Sequence, residues 1–171
     1  GNVVVNYTQG GNAVASAMPS RRNSWINNTF LGLTHVGVNI YTFTGKEHRD
    51  LTFRGNHWEM HGEFATEQSI LYQSTSNTVT QQAVENLIVE SNTFCSADTT
   101  PRATSWDGIR LCAVKGGKLR KNTFRNIQRV AVALSANATA NLDIEDVDVE
   151  DNDIENTGFN STLATPYALL I

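Results

Sequence analysis

Only two cysteines, Cys95 and Cys112, occur in the 171 residues. Two are too few for a disulfide scaffold and too few for a structural zinc site. Free thiols are expected, with a disulfide closing the insert between the two as the alternative. Charged residues make up 18% of the chain, well below ordinary globular usage. A helix bundle or coiled coil needs far more Glu, Lys, Ala and Leu, and this composition disfavours both. Basic excess is also lacking: the net charge is -4, which disfavours nucleic acid as a partner. No apolar run approaches the length of a membrane helix, and no charged start leads into an apolar stretch of signal-peptide type, so no membrane partner is expected.

What the chain has in abundance is asparagine, about one residue in ten, with threonine as frequent. The asparagines recur with a pattern. Asn28 is followed two residues later by Phe30, Asn56 by Trp58, Asn92 by Phe94, Asn122 by Phe124 and Asn152 by Ile154. Three residues before each lie Trp25, Phe53, Val89, Leu119 and Val149. Alternation of period two means strands, interrupted by a short turn at the asparagine. A further apolar alternation accompanies each unit: Val36, Val38, Ile40; Ile70, Tyr72; Ile109, Leu111, Ala113; Val130, Val132, Leu134; and Tyr167, Leu169, Ile171. Each repeat of roughly 30 residues thus holds three short strands, a solenoid period. The first strand carries this accompanying alternation, the second ends just before the asparagine, and the third follows it. Residues 1–22 read as an irregular N-terminal coil of a single domain spanning 1–171.

The motifs Asn27-Asn28-Thr29-Phe30, Ser91-Asn92-Thr93-Phe94, Lys121-Asn122-Thr123-Phe124 and Asp151-Asn152-Asp153-Ile154 resemble those of right-handed parallel β-helices of the pectate-lyase-like kind. The resemblance implies an all-β fold, a right-handed parallel β-helix of about five to six coils with an Asn ladder between second and third strands. Asparagine suits such a corner because it tolerates a left-handed backbone and its amide can bond adjacent coils. An antiparallel β-sandwich, such as a carbohydrate-binding module, is the competing architecture. It is disfavoured because hairpin turns of the Asn-Gly and Asp-Gly type are mostly missing between the strands.

Stacking the repeats by their asparagines aligns charges. Arg54, Glu90, Arg120 and Glu150 share one position, and Lys118 falls beside Asp148. Parallel strands about 4.8 Å apart would set these opposite charges face to face. This accounts for much of the basic stretch 115–129 and of the acidic stretch 143–155; a polyanion site on the first and a calcium site on the second are the weaker alternatives. The same stacking forecasts an interior row of Phe30, Trp58, Phe94, Phe124 and Ile154, with Val36, Ile70, Ile109, Val130 and Tyr167 across from it.

Inserts between third and first strands span about Glu59 to Gln68 and Ser96 to Asp107. Others, Tyr41 to Arg49 and Ser74 to Glu85, lie at the other edge of the first strand. The resemblance implies a substrate groove on the first-strand sheet, and with it a polysaccharide substrate or receptor. His35, Asn39, Gln73, Arg110, Cys112 and Arg129 are expected to face outward there. Loops add Arg102, Asp107 and Trp106, the one tryptophan off the core register. Candidate catalytic groups are Arg110, Asp107 and Glu67; candidate substrate contacts are Trp106, Arg129, Arg102, His35 and Gln73. Arg110 is placed between Leu71 and Ala131. A hydrolase needs two carboxylates, such as Glu63 or Glu67 with Asp107. A lyase needs a base and a cation facing the sugar carboxylate, for which Arg110 is central. Lys115 is the nearest lysine to the groove. Arg110 could equally pair with Asp107 or Asp98 and pin the insert.

The residues fix no cofactor with certainty, and calcium is the one they allow. Glu59, Glu63 and Glu67 could hold calcium, whereas His35, His57 and His61 fall on different strands or coils, so no histidine metal site is expected. Like phage tailspikes and polysaccharide lyases of this type, the chain would act outside the cell or on a virion surface, as a homotrimer in the tailspike case. The apolar first and last strands suggest a fragment of a longer fibre or enzyme. The alternative function is a non-catalytic solenoid, a fibre shaft or surface adhesin.

Overall fold

The computed structural model describes residues 3–5, 14–16, 20–33, 36–42, 48–61, 68–75, 83–97, 99, 106–134, 143–158 and 169–170. In chain order the strands are β1 (Val3–Val5), β2 (Val14–Ser16), β3 (Ser20–Arg21), β4 (Ser24–Ile26), β5 (Thr29–Leu33) and β6 (Val38–Thr42). Next come β7 (His48–Arg49), β8 (Thr52–Arg54), β9 (His57–Met60), β10 (Gln68–Thr75), β11 (Val84–Glu90) and β12 (Thr93–Ser96). The last are β13 (Trp106–Leu111), β14 (Val114–Arg120), β15 (Thr123–Arg125), β16 (Val132–Leu134), β17 (Ile144–Glu150), β18 (Asp153–Glu155) and β19 (Leu169–Leu170). No helix occurs among the described residues.

The strands form three sheets. The first-strand sheet runs β2-β6-β10-β13-β16-β19. The second-strand sheet runs β3-β7-β11-β14-β17, with β4 and β8 continuing β3 and β7 alongside β11. The third-strand sheet runs β1-β5-β9-β12-β15-β18. Successive strands within each sheet come from successive repeats, and the pairings among the described residues are parallel, for example β11 with β14 and β12 with β15. An antiparallel sandwich is therefore excluded. Three short strands within residues 1–22 join one sheet each.

The asparagines meet at one corner. Asn28 donates from its backbone N–H and from its side-chain Nδ2 to Oδ1 of Asn56, at 2.9 and 3.0 Å. Asn56 does the same to Asn92, Asn92 to Asn122, and Asn122 to Asn152, all at 2.9–3.0 Å. Each amide also reaches back to a carbonyl of the previous repeat: Asn56 to Trp25, Asn92 to Phe53, Asn122 to Val89 and Asn152 to Leu119, at 2.7–2.9 Å. These amides are mostly buried, so the bonds meet polar demands that water does not reach. The left-handed backbone belongs to a different residue from the one expected. Asn27, Gly55, Ser91, Lys121 and Asp151, each immediately before the bonded asparagine, have φ of 52–64°. The asparagine is selected for its amide, and its neighbour makes the turn.

A second column of left-handed residues, Arg22, Asp50, Asn86, Gly116 and Asp146, bends the second-strand sheet. Within β11, β14 and β17 the bend interrupts the paired positions between Glu85 and Leu87 and their partners.

The core follows the register. Phe30, Trp58, Phe94, Phe124 and Ile154 pair in sequence along the third-strand sheet. Phe30 stacks on Trp58 at 4.0 Å between ring centres, and Phe94 on Phe124 at 5.1 Å. Ile154, on the last described strand of that sheet, keeps the register but is 36% exposed. Opposite, the row is Val38, Leu71, Ile109 and Val132, and β19 follows β16 with Leu169 in register with Val132. That corrects the forecast row of Val36, Ile70 and Val130, which are buried but are not the partners of Ile109. Tyr167 lies outside the described residues.

Charge columns cover the second-strand sheet. Arg54, Glu90, Arg120 and Glu150 are paired in register, with Glu90 held by Arg54 at 2.8 Å and by Arg120 at 2.9 Å. Lys118 lies beside Asp148 in register. A further column joins Arg49 to Glu85 at 3.0 Å and Lys115 to Glu145 at 3.3 Å. Lys115 thus belongs to this sheet and not to the first-strand sheet.

Candidate functional site

On the first-strand sheet, β13 carries Asp107 and Arg110. Gly108 lets this strand approach the coil interior: a Cβ there would sit 2.6 Å from the Ala131 carbonyl oxygen and 2.8 Å from the Phe124 ring. That close approach carries Asp107, one residue earlier, below the surface, where it is 1% exposed. Its Oδ2 accepts from Nε of Arg110 at 2.6 Å, and Nη2 of Arg110 is equally close. Its Oδ1 accepts from the Val130 backbone N–H at 3.3 Å and faces Nε of Arg129 at 3.8 Å. Burial pushes the Asp107 carboxyl above its usual range, while Arg110, Arg129 and the Val130 N–H oppose that rise. One buried carboxylate therefore anchors two arginines, whose side chains remain 27% and 17% exposed.

In register, Arg110 lies between Tyr72 and Ala133, not between Leu71 and Ala131. The difference reassigns Gln73. The expected parity put Tyr72 inward and Gln73 outward, but a one-residue slip exchanges the two faces of a strand. Leu71 is interior, and Gln73 is fully buried beside it. Its Nε2 donates to the Ala113 carbonyl at 2.9 Å, and its Oε1 accepts from the backbone N–H groups of Cys112 and Ala113 at 3.0 and 2.9 Å. Gln73 closes the turn between β13 and β14 and is withdrawn as a substrate contact. Asn39, expected to face outward, is also buried. Trp106 is the first residue of β13, paired with Gln68, and so is not in a loop. Arg129 lies in the turn before β16 and not on a strand. Glu67, Arg102 and His35, with Glu63 and Asp98, lie outside the described residues.

The third-strand sheet carries a constellation on its outward face. Nε2 of His57 lies 3.8 Å from Sγ of Cys95 and 3.9 Å from Oε2 of Glu59. One donor atom from each of the three residues lies within 4.8 Å of the others. The Cys95 thiol donates to the Trp58 carbonyl at 3.5 Å. Burial, with help from Glu59 and against Arg125, pushes its pKa up to about 11, so it is a thiol at neutral pH. Cys95 and Cys112 are not joined in a disulfide. Of the expected calcium carboxylates, Glu59 is described and sits in this group. Aligning Asn56 with Asn92 already places Glu59 and Cys95 side by side; His57, one residue after Asn56, was the missing third member.

A cavity of about 310 Å³ follows the bend in the second-strand sheet. Gly116 and Gly117 leave it open between Asn86 and Asp146. Lys118, Arg120, Asp146 and Asp148 around it carry both signs of charge, so it favours no single ligand charge.

No family model, curated protein or solved structure matches this chain.

Proposed function

We propose that the chain is a right-handed parallel β-helix of the pectate-lyase-like kind, of about five to six coils with an Asn ladder, and that it engages an acidic polysaccharide on its first-strand sheet. The handedness follows the rule for parallel crossovers. The observation that carries the functional reading is Arg110. Buried Asp107 fixes its guanidinium, about a quarter of the side chain stays open, and the neighbouring Ala133 keeps the surface low beside it. A prepositioned guanidinium loses little entropy on meeting a sugar carboxylate, which it can bind by two parallel hydrogen bonds. Arg129, anchored on the same acid, adds a second positive charge.

The burial of Asp107 bears on chemistry. A general acid or base must reach the proton it transfers, and Asp107 is enclosed and occupied by its partners. Its role here is to position Arg110. Turnover would then rest on Glu63 or Glu67, the remaining carboxylate candidates. The specific observation that Asp107 and Gln73 serve the fold favours a second reading, a non-catalytic adhesin or fibre shaft that binds glycan without cutting it. On this reading the chain would meet its polysaccharide outside the cell or on a virion surface.

Incubation with a panel of acidic bacterial and plant polysaccharides tests this. New unsaturated ends, read by ultraviolet absorbance, identify a lyase. New reducing ends without unsaturation identify a hydrolase. Binding without product identifies the adhesive role. Failure to bind any acidic polysaccharide overturns the proposal.

A further inference from the structure

We infer that His57, Glu59 and Cys95 form a binding site for a zinc-like divalent transition metal on the outward face of the third-strand sheet. The site is independent of glycan binding, which belongs to a different sheet.

The donor set is an imidazole, a carboxylate and a thiol, the three side-chain types that zinc takes. Adjacent strands bring them together: β9 supplies His57 and Glu59, and β12 supplies Cys95, paired in register with Glu59. The parallel pairing holds the strands rigidly, and the Asn56 to Asn92 bonds lock the corner just before both. Metal bonds of about 2.0–2.3 Å in a tetrahedral site put donor atoms roughly 3.3–3.8 Å apart. Nε2 of His57 is already 3.8 Å from Sγ and 3.9 Å from Oε2. Closing the set around an ion needs side-chain rotation and no change in the sheet.

One cation, Arg125, neighbours the site. Arg125 follows Cys95 in register, but its guanidinium is directed to the next repeat, at 3.4 Å from Asp153 and 3.5 Å from Glu155. Glu59 thus remains available to a cation. Binding deprotonates Cys95: the Sγ–H bond breaks, its electron pair becomes the metal–sulfur bond, and the proton leaves to solvent. The three side chains are part-exposed, so a water molecule can complete the fourth position. Thiolate and imidazole together favour zinc or cobalt over calcium and magnesium, which take oxygen donors.

Cobalt(II) is the direct probe, because a cobalt–thiolate bond gives a near-ultraviolet charge-transfer band and a tetrahedral site gives visible bands. Titration of the reduced chain should produce both, saturating at one cobalt per chain and displaced by zinc. Cys95→Ser should abolish the charge-transfer band, and Cys112→Ser should leave it unchanged. His57→Gln and Glu59→Gln keep the thiol and test the other ligands; each should weaken cobalt binding about tenfold or more. Zinc alone should raise the melting temperature of the wild-type chain and not that of Cys95→Ser. No band in the wild type overturns the proposal. So does a band that survives Cys95→Ser, or one insensitive to both His57→Gln and Glu59→Gln.

Discussion

Arg110 donates from Nε to Oδ2 of Asp107 at 2.6 Å, and its Nη2 lies at the same distance from that oxygen, while the carboxylate itself is almost wholly enclosed. The acid lies beneath the surface and the cation reaches it, so the pair exposes positive charge alone. Removing Arg110 leaves a buried carboxylate with Arg129 as its remaining charged neighbour. Arg110→Ala should therefore cost about 3 kcal/mol of stability, near the lower end for breaking a buried pair. Urea denaturation checks this; a loss below ~0.5 kcal/mol, the scale of an ordinary surface change, contradicts the buried anchor.

Asp107 should also leave a signature in pH. Burial raises its pKa above the ordinary 3.8, against the pull of the two arginines. The folded chain then holds this proton more tightly than the unfolded chain. Its contribution to stability is greatest below the unfolded pKa and declines as pH rises through the folded value. Denaturation of the wild type and Asp107→Asn across that window should show the difference between them shifting against the wild type as pH rises. A shift in its favour would mean that the arginines outweigh burial.

The amide row makes a sharper stability prediction. Asn92 accepts two bonds from Asn56 and donates to Phe53 and Asn122. Asn92→Ala orphans several buried groups, each costing about 1–3 kcal/mol, so a loss of at least ~3 kcal/mol is expected. Asn156→Ala, at an exposed corner with one bond to Asn126, should cost under ~1 kcal/mol. Equal losses at the two positions would contradict the structural role of the buried row.

Phe124 lies in the interior stack on Phe94 and beneath Gly108. Phe124→Ala should cost about 3–5 kcal/mol by leaving a cavity. Gly108→Val should also destabilise, since its Cβ would meet the Ala131 carbonyl at 2.6 Å, well inside contact distance. Calorimetry of both variants measures the effects. A Gly108→Val melting point equal to wild type would contradict the close approach.

Much of this architecture was legible in the sequence because the asparagine repeat fixes which residues share a position. The third-strand row from Phe30 to Ile154, the pairing of Arg120 with Glu90, and the neighbours of Asn122 all follow from that alignment. The first-strand sheet was harder. Loops of unequal length separate it from the asparagines, so apolar alternation alone had to set its register. In β10 the adjacent residues Ile70 and Leu71 are both buried, and alternation cannot choose between them. That one-residue ambiguity turned Gln73 outward and misplaced the neighbours of Arg110. Gly108 was the overlooked signal for a buried Asp107, because a glycine inside a strand marks close approach of another chain segment. The His57, Glu59 and Cys95 cluster was missed because the histidines were compared with one another and not with the residues one repeat away.

The most direct test of the account is the affinity of the chain for an acidic polysaccharide and for its neutral, carboxyl-reduced form, before and after Arg110→Gln, measured by titration calorimetry with folding confirmed by circular dichroism. The wild type should bind the acidic form, weaken as salt rises, and bind the neutral form poorly. Arg110→Gln should reduce acidic binding by about tenfold or more, the loss of roughly 1.4 kcal/mol expected from one charge-assisted contact. Lys118→Gln, on the second-strand sheet, should leave it unchanged. Equal binding of acidic and neutral forms, or undiminished binding by a folded Arg110→Gln, would contradict the proposed use of the first-strand sheet.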